Sequence, residues 1–294
     1  AVQHHHAHLA ACLADRGFAG PAIGVIMDGT GLGLDGHIWG GEFLIGDARG
    51  FWRAARLQYL PLPGGDQAVR KPYRLALAYL WALLGEEVAL PSTLSHIPVE
   101  ERRILQRMIA RGINTPLTSS LGRLFDAVSA LLGVCQETSY EAQAAIELEM
   151  VATPAEVAGA SPYPWEVVPI KEAQSWGDPP VPPGQARELR LAPLYRAILE
   201  DLAAGISQGE ISWRFHLSVA QMIVEVCLAL RAETGLQAVA LSGGVFQNRL
   251  LLELLLPRLE EEGFEVLLHR QVPCNDGGLA LGQAVIAHGY MIGE

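Results

Sequence analysis

The sequence VQHHHAH occupies residues 2–8 and runs directly into the apolar segment LAACL at residues 9–13. This pattern favours one continuous helix. In such a helix His4 and His8 lie four residues apart on one face, so both imidazoles can reach the same divalent metal. A purification tag or a surface cluster is the alternative, but the alanine within the run and the apolar continuation argue against it. His5 and His6 point elsewhere on the helix, where either could hydrogen-bond a substrate.

Two aspartates that precede glycine are candidates to complete a metal site with these histidines. Asp28 follows the apolar segment 21–27, which is typical of a buried strand, and is followed by Gly-Thr-Gly. Glycines at a strand end let a metal or a phosphate approach the backbone. Asp276 lies in the turn NDGG, residues 275–278, before a helix that begins near residue 279. Capping is the alternative for both: Asp28 within its own turn, and Asp276 at the start of the following helix.

Length and composition indicate a compact α/β enzyme. The chain has 294 residues, half of them hydrophobic, and contains 31 glycines. It is long enough for a large core, and one domain or two fused lobes both fit this length. The formal net charge of −11 argues against a nucleic-acid partner, because phosphate backbones bind clustered Lys and Arg. It does not exclude an anionic ligand held by N–H groups at helix starts.

Cysteine spacing and hydropathy indicate the cellular compartment in which the protein is expected. The four cysteines show no C-x-x-C spacing, which predicts reduced and mostly buried thiols. No signal peptide is recognised, and no apolar run is predicted to be long and clean enough to span a bilayer. We therefore expect a cytoplasmic protein that has no membrane partner.

Hydrophobic periodicity predicts a mixture of strands and helices, with strands and helices alternating in the last part of the chain. A hairpin over residues 21–27 and 37–45 follows the histidine helix. Residues 160–190 are rich in proline and tryptophan and are predicted to form an insertion or hinge. The other predicted strands are residues 165–170, 238–241 and 265–269. The other predicted helices are residues 72–86, 99–112, 121–132, 140–150, 192–204 and 208–234, one from about 247, and a last one from about 279.

A glycine-rich turn between the strand at 238–241 and its following helix suits a nucleotide. The sequence LSGGVFQN, residues 241–248, places Gly243 and Gly244 where exposed N–H groups could bind a sugar or a phosphate. Taken alone the motif is weak, since many strand-to-helix turns need glycine. A Ser-His-Asp triad is disfavoured because no Gly-x-Ser-x-Gly elbow occurs, and a Walker phosphate loop is also absent.

Taken in order, these motifs resemble the C-terminal part of the HypF family of hydrogenase-maturation carbamoyltransferases. The resemblance extends through almost the whole chain, and the combination is far more specific than any one motif. The motifs that carry it are VQHHHAH (2–8), DGTG (28–31), WGGE (39–42), SLGRLFDAV (120–128), YEAQAAIELE (140–149), LSGGVFQN (241–248) and NDGG (275–278).

The resemblance implies a two-lobed actin/sugar-kinase/Hsp70-like α/β fold. The expected division is residues 1–115 for the first lobe, lacking its initial strands, and residues 116–294 for the second. It implies iron or zinc held by His4, His8, Asp28 and Asp276. It also implies an adenylate pocket, to which five residues are assigned: Gly243, Gly244, Asn248 and, more weakly for sugar contacts, Asp126 and Glu141.

The reaction that the resemblance implies is carbamoyl transfer from carbamoyladenylate, an ATP-derived adenylate, to the C-terminal cysteine of the partner protein HypE. The expected adenylate-forming domain is not present in this chain. An O-carbamoyltransferase acting on a small molecule uses the same donor and is the alternative among enzymes. A docking module that binds the partner without turnover is the alternative outside them. A tRNA-modifying role, found in a related family, is disfavoured by the acidic charge.

Overall fold

The computed structural model describes residues 1–153, 161–171 and 174–292, with the side chains of 290–292 outside that description. Parts of the predicted proline- and tryptophan-rich insertion (residues 160, 172 and 173) lie outside the described residues. Within the described residues, runs of consecutive strands are followed by runs of helices, and single strands and helices alternate only towards the end of the chain. The helices are α1 (His4–Asp15), α2 (Asp66–Arg70), α3 (Tyr73–Leu84), α4 (Ser92–Ser95), α5 (Val99–Arg111), α6 (Leu121–Leu132), α7 (Gln143–Val151), α8 (Ala192–Ala203), α9 (Gln208–Thr234), α10 (Arg249–Glu261) and α11 (Leu279–Ile292).

One ten-stranded mixed sheet organises the fold. Its main path runs in the order β10-β9-β1-β2-β3-β8-β6. β1, β2 and β3 are antiparallel neighbours, whereas β9 lies parallel to both β1 and β10. The strands are β1 (Ala22–Leu32), β2 (Ile38–Gly46), β3 (Gly50–Leu57), β4 (Leu60–Pro61), β5 (Leu117–Thr118), β6 (Glu166–Pro169), β7 (Ser175–Gly177), β8 (Arg187–Arg190), β9 (Ala238–Ser242) and β10 (Glu265–Leu267).

Helix α1 is buried between the sheet and α11, which fixes the histidines in place. Leu9 and Cys12 of α1 lie in an apolar cluster with Ile26 of β1 and Ala240 of β9. On its other side α1 approaches α11 so closely that a Cβ at Gly282 would lie 1.9 Å from the Ala7 carbonyl oxygen. The position of α1 is therefore set by packing along most of its length.

Two expectations about the strands need correction. β1 does not stop before Asp28 but continues to Leu32, with an irregularity in its pairing to β2 between Met27 and Gly31. β3 was not predicted at all. The sheet also crosses the expected boundary between residues 115 and 116, because β9 pairs with β1. The division into two lobes stays a prediction.

Among the described helices α9 has the length and composition needed to cross a membrane, contrary to the expectation that no such run exists. The same test is met by core helices of globular proteins, and 67% of its most apolar window is buried inside the protein. Phe215 and Ile223 of α9 belong to the main core cluster. The packing of α9 is that of a core helix.

Candidate metal centre and adjoining cavity

The start of α1 is tied to β1 through its capping residue. The side chain of Gln3 accepts a hydrogen bond from the His6 N–H at 2.8 Å and donates one to the Leu32 carbonyl at 3.3 Å. His5, His6 and His8 are all buried, with at most 1% of each residue exposed. His6 Nε2 lies 2.6 Å from the Asp47 carbonyl oxygen. A tag or surface cluster is excluded for these rings, and His5 and His6 have internal partners instead of facing an open site.

Asp28 lies where the parallel pairing of β1 with β9 has just ended. That pairing runs as far as Ile26 opposite Ser242, so the carboxylate projects from the carboxyl edge of the parallel strands. Asp28 Oδ1 accepts a hydrogen bond from the Gly244 N–H at 3.0 Å. Its carbonyl oxygen accepts another from the Ser120 hydroxyl at 2.6 Å. These two hydrogen bonds fix the carboxylate and the backbone of Asp28.

The four predicted metal ligands converge. His4 Nε2 lies 3.1 Å from Asp28 Oδ2 and 3.4 Å from Asp276 Oδ1. His8 Nε2 lies 3.5 Å from Asp28 Oδ2 and 3.4 Å from Asp276 Oδ1. The four ligand atoms all lie within 4.8 Å of one another. Residues separated by 272 positions in the sequence (4 to 276) thus present two imidazole nitrogens and two carboxylate oxygens to one point.

The electrostatics of the cluster fit a divalent cation. Burial acts to lower the pKa of His8, but the carboxylates of Asp276 and Asp28 outweigh it and the pKa is raised. Burial acts to raise the pKa of Asp28, but His4, His8 and the Gly244 N–H outweigh it and hold the pKa well below its usual range. His8 Nε2 is buried and, within the described ranges, has no hydrogen-bond partner despite its two carboxylate neighbours. A bare imidazole nitrogen beside two carboxylates is the donor set that zinc or iron accepts.

A second layer of polar contacts orients His8. His8 Nδ1 lies 3.1 Å from the Ser242 hydroxyl, which itself lies 2.8 Å from His269 Nε2. A metal-ligating imidazole usually carries its proton on the nitrogen that faces away from the metal, and the Ser242 hydroxyl can accept a hydrogen bond from that proton on Nδ1. Ser242 and His269 were not singled out from the sequence.

A cavity of about 660 Å³ adjoins the ligand cluster, and Asp28 and Asp276 form part of its wall. Four of the five residues assigned to the adenylate also line it: Asp126, Glu141, Gly244 and Asn248. Gly243 does not. Its φ is +108°, and a Cβ there would lie 2.2 Å from the Met27 carbonyl oxygen, so packing against β1 requires glycine.

The backbone N–H groups of the glycine turn are already used inside the protein. Gly243 N–H donates to the Cys274 carbonyl at 2.8 Å, and Gly244 N–H donates to Asp28. The expectation that these two groups are exposed to a phosphate is therefore wrong. Through these hydrogen bonds the two N–H groups hold the Asp28 carboxylate and the turn before Asp276 in place.

Arg123 is a cavity residue to which the sequence analysis gave no role. Its guanidinium lies 3.2 Å from Asp126 Oδ2, although that oxygen has no hydrogen bond. Burial raises the pKa of Asp126, and Arg123 opposes the shift. Arg123 Nε is also buried without a partner. Among the described residues that line the cavity, Arg123 is the one cation, beside five carboxylates (Asp28, Asp126, Glu141, Glu149 and Asp276).

The caps near the site are formed by asparagines. Asn275, not Asp276, caps the short 3₁₀ turn Asp276–Gly278, since its side chain accepts from the Gly277 N–H at 3.1 Å. The capping alternative for Asp276 is thereby excluded, and most of its side chain is exposed, with 64% accessible. Asn248 caps α10 by accepting from the Leu251 N–H at 2.7 Å.

Comparison with known proteins gives one consistent result. Residues 24–283 match the family described as "Carbamoyltransferase, Kae1-like Domain, second subdomain". The chain is 40% identical to carbamoyltransferase HypF2 of Cupriavidus necator over 300 residues, covering 98% of this chain and 36% of that protein. It is 40% identical to carbamoyltransferase HypF of Rhodobacter capsulatus over 291 residues, with 98% and 35% covered.

Solved structures agree with these relatives. A crystal structure of full-length HypF in its phosphate- and nucleotide-bound form is similar with a TM-score of 0.86 and 39% identity, covering 99% of this chain and 43% of that chain. The mixed α/β fold of these matches is consistent with the actin/sugar-kinase/Hsp70-like architecture. The chain spans about a third of the length of the two relatives above.

Proposed function

The chain belongs to the HypF carbamoyltransferase family, and we propose that it transfers a carbamoyl group from carbamoyladenylate to the C-terminal cysteine of a HypE-type acceptor protein. The observation that carries this proposal is the continuity of the ligand cluster with a nucleotide-sized cavity. The related full-length HypF was crystallised with phosphate and nucleotide, which supports a nucleotide ligand here. In hydrogenase maturation the product would be the precursor of the cyanide ligand of the nickel–iron site.

The proposed reaction is an acyl transfer. The thiolate sulfur of the acceptor attacks the carbamoyl carbon, and a C–S bond forms. The C–O bond to the adenylate phosphate breaks, AMP leaves, and the thiol proton passes to solvent. The nucleophile comes from the acceptor, so no cysteine of this chain is required.

The charge balance of the cavity supports a cation as part of the proposed site. An adenylate phosphate entering beside five carboxylates meets repulsion that Arg123 alone does not offset. A divalent metal held by His4, His8, Asp28 and Asp276 would act as a Lewis acid on the carbamoyl or phosphate oxygen. The bound metal would neutralise the net negative charge of these four side chains, which would then no longer repel the adenylate phosphate.

The remaining lining residues have separate roles in this proposal. Arg123 offers N–H donors to the phosphate, a geometry that suits guanidinium. Asp126 and Glu141 accept hydrogen bonds from sugar hydroxyls, which their position in the wall allows. Glu141 precedes Ala142, whose φ of 59° is unusual for a residue with a side chain and turns the backbone into α7.

Calorimetric titration of zinc-loaded chain with carbamoyladenylate, run against threonylcarbamoyladenylate, tests donor binding. We expect heat of binding from the first and a much weaker response to the second. A single-turnover assay then adds a carbamoyl-labelled adenylate and an acceptor that ends in cysteine, with the same acceptor ending in serine as control. Label on the cysteine acceptor only is the expected result. Binding without transfer would identify a docking module, transfer to a small-molecule hydroxyl an O-carbamoyltransferase, and binding of neither adenylate would refute the proposal.

A further inference from the structure

His216 is a buried histidine beneath the cavity wall that the proposed reaction does not use. It lies on α9 with 0% of its surface exposed. Its ring packs edge-on against Phe125, with ring centroids 5.2 Å apart. Its Nε2 lies 3.0 Å from Asn248 Nδ2. Phe125 and Asn248 both line the cavity, so His216 contacts two wall residues from behind.

Only one assignment of donors and acceptors satisfies the hydrogen bonds around His216. Nδ1 lies 2.8 Å from the Ser212 carbonyl oxygen, which only accepts, so Nδ1 carries the proton. Nε2 of the neutral ring then accepts, and Asn248 must present its NH₂ group to it. The amide oxygen of Asn248 consequently faces the Leu251 N–H at 2.7 Å, which only donates. The Ser212 carbonyl can only accept and the Leu251 N–H can only donate. These two backbone groups therefore determine the tautomer of His216 and the orientation of the Asn248 amide between them.

The reverse orientation of the amide is blocked at both ends. If Asn248 were flipped, its NH₂ group would face the Leu251 N–H and its oxygen would face the lone pair of His216 Nε2. If His216 were protonated, two donors would meet at Asn248. Burial lowers the pKa of His216 to about 4, which keeps the ring neutral at physiological pH.

We propose that His216 is a positioning residue of the nucleotide cavity, which holds the Asn248 amide with its nitrogen as the donor in the wall. An amide nitrogen carries two hydrogens. One is donated to His216, and among the described residues the other has no hydrogen-bond partner. That N–H recognises an acceptor atom of the bound nucleoside. This inference rests on the proposed function, because it assigns the ligand of the same cavity.

Substitution at 216 separates positioning from packing. His216→Phe keeps an aromatic ring against Phe125 but removes the acceptor at Nε2. His216→Gln restores an acceptor near that position through its amide oxygen. Phe215→Leu is the matched control, because Phe215 also packs on Phe125, at 5.0 Å between ring centroids, but its ring offers no acceptor nitrogen to the Asn248 amide.

The measurement is the affinity of zinc-loaded protein for AMP, with zinc affinity as a second readout. We expect His216→Phe to weaken AMP binding roughly tenfold, the loss of about one hydrogen bond, while zinc affinity is unchanged. His216→Gln and Phe215→Leu should bind AMP nearly as the wild type does. Equal AMP affinity in the wild type and His216→Phe would overturn the inference alone, whereas a wild type that binds neither AMP nor adenylate would overturn the proposed function as well.

Nitrogen-15 NMR of the histidine ring gives an independent test if His216→Phe does not fold. The wild type should show a protonated Nδ1 and a bare Nε2 at neutral pH. Asn248→Asp keeps a good cap for α10 but places a carboxylate oxygen against Nε2, so His216 should become doubly protonated and AMP binding should fall. A wild-type ring protonated on Nε2 would contradict the proposed arrangement.

Discussion

The two ring nitrogens of His8 have different surroundings, and this asymmetry fits the proposed role of His8 as a metal ligand. Nδ1 faces the Ser242 hydroxyl, while Nε2 is bare beside two carboxylates. A neutral imidazole has one donor and one acceptor nitrogen. When Nδ1 donates to Ser242, Nε2 carries the free lone pair that a metal would bind.

We expect Ser242→Ala to weaken zinc binding by roughly 10- to 100-fold, the usual cost of losing a hydrogen bond to a metal-ligating histidine. Zinc affinity measured calorimetrically at constant pH checks this. Ser129→Ala is the control, because Ser129 is also buried but its hydroxyl has no hydrogen-bond partner. Unchanged zinc affinity in Ser242→Ala would show that Ser242 does not orient the ligand.

Asp276→Ala should abolish stoichiometric metal binding and leave the fold intact. The Asp276 side chain is 64% exposed, so its removal creates no cavity, yet it supplies one of the four converging atoms. Metal content after dialysis and the circular dichroism spectrum are the two readouts. Glu141→Ala removes a cavity carboxylate outside the cluster and should retain metal. A metal-replete Asp276→Ala protein would remove Asp276 from the site.

Sequence spacing could predict the two histidines but not how the aspartates reach them. The four-residue spacing of His4 and His8 is local, and α1 preserves it. The approach of Asp28 and Asp276 depends on strand order and on α11, so their turn positions made them candidates among alternatives, and the family resemblance implied the full set of four. Arg123 and His216 left no signal of their own, because an arginine or a histidine inside an amphipathic helix is usually surface or core.

At the level of elements, the hairpin of β2 and β3 is held by a buried ionic network. Arg53 on β3 and Glu42 on β2 form an ion pair, and both are nearly inaccessible. Arg53 also donates to Tyr59 at 2.9 Å and lies over the Trp39 ring at 3.9 Å. Glu42 accepts from the N–H groups of Gly40 and Gly41 at 3.0 and 3.1 Å.

Arg53→Met should destabilise the protein by about 3–5 kcal/mol, because it leaves the Glu42 carboxylate buried without a counter-charge. Urea denaturation monitored by fluorescence measures the loss. Arg249→Ala breaks an exposed pair with Glu253 and should cost less than about 1 kcal/mol. Similar midpoints for Arg53→Met and the wild type would mean that the network contributes no net stability.

His216 predicts how stability depends on pH. Its pKa is about 4 in the folded protein and about 6.5 when unfolded, so between these values the unfolded chain binds more protons. The contribution to stability is complete above about pH 6.5 and is lost as pH falls towards 4, up to roughly 3 kcal/mol. The urea unfolding midpoints of the wild type and of His216→Phe, compared at several pH values, isolate the contribution of His216. The other titratable groups are the same in both proteins, so their contributions cancel in the difference. Parallel pH curves would contradict the assignment.

The strand β3 shows why some elements escaped the sequence analysis. Its residues include Arg53 and Arg56, which interrupt the apolar pattern, although Arg53 is only 4% exposed. The pairing of the two arginines with acidic side chains, Glu42 and Glu188, makes that burial possible. Such pairing is a tertiary property. Helices with strong periodicity, such as α6 and α9, were predicted with their observed bounds.

At the scale of the whole molecule, the ends of the described chain meet at the site. α1 supplies two of the candidate ligands, β1 the third and the turn before α11 the fourth, while α6, α7 and the turn after β9 form much of the cavity wall. The site thus depends on the complete sheet order, with β9 beside β1.

The central claim is that one metal and one adenylate occupy this joined site. A crystal structure of the zinc-soaked protein with AMP, using anomalous scattering at the zinc edge, tests it most directly. We expect a single strong anomalous peak bonded to His4, His8, Asp28 and Asp276, with the nucleotide phosphate on the same side of the cavity as Arg123. A zinc peak elsewhere, or AMP bound outside the cavity, would contradict it.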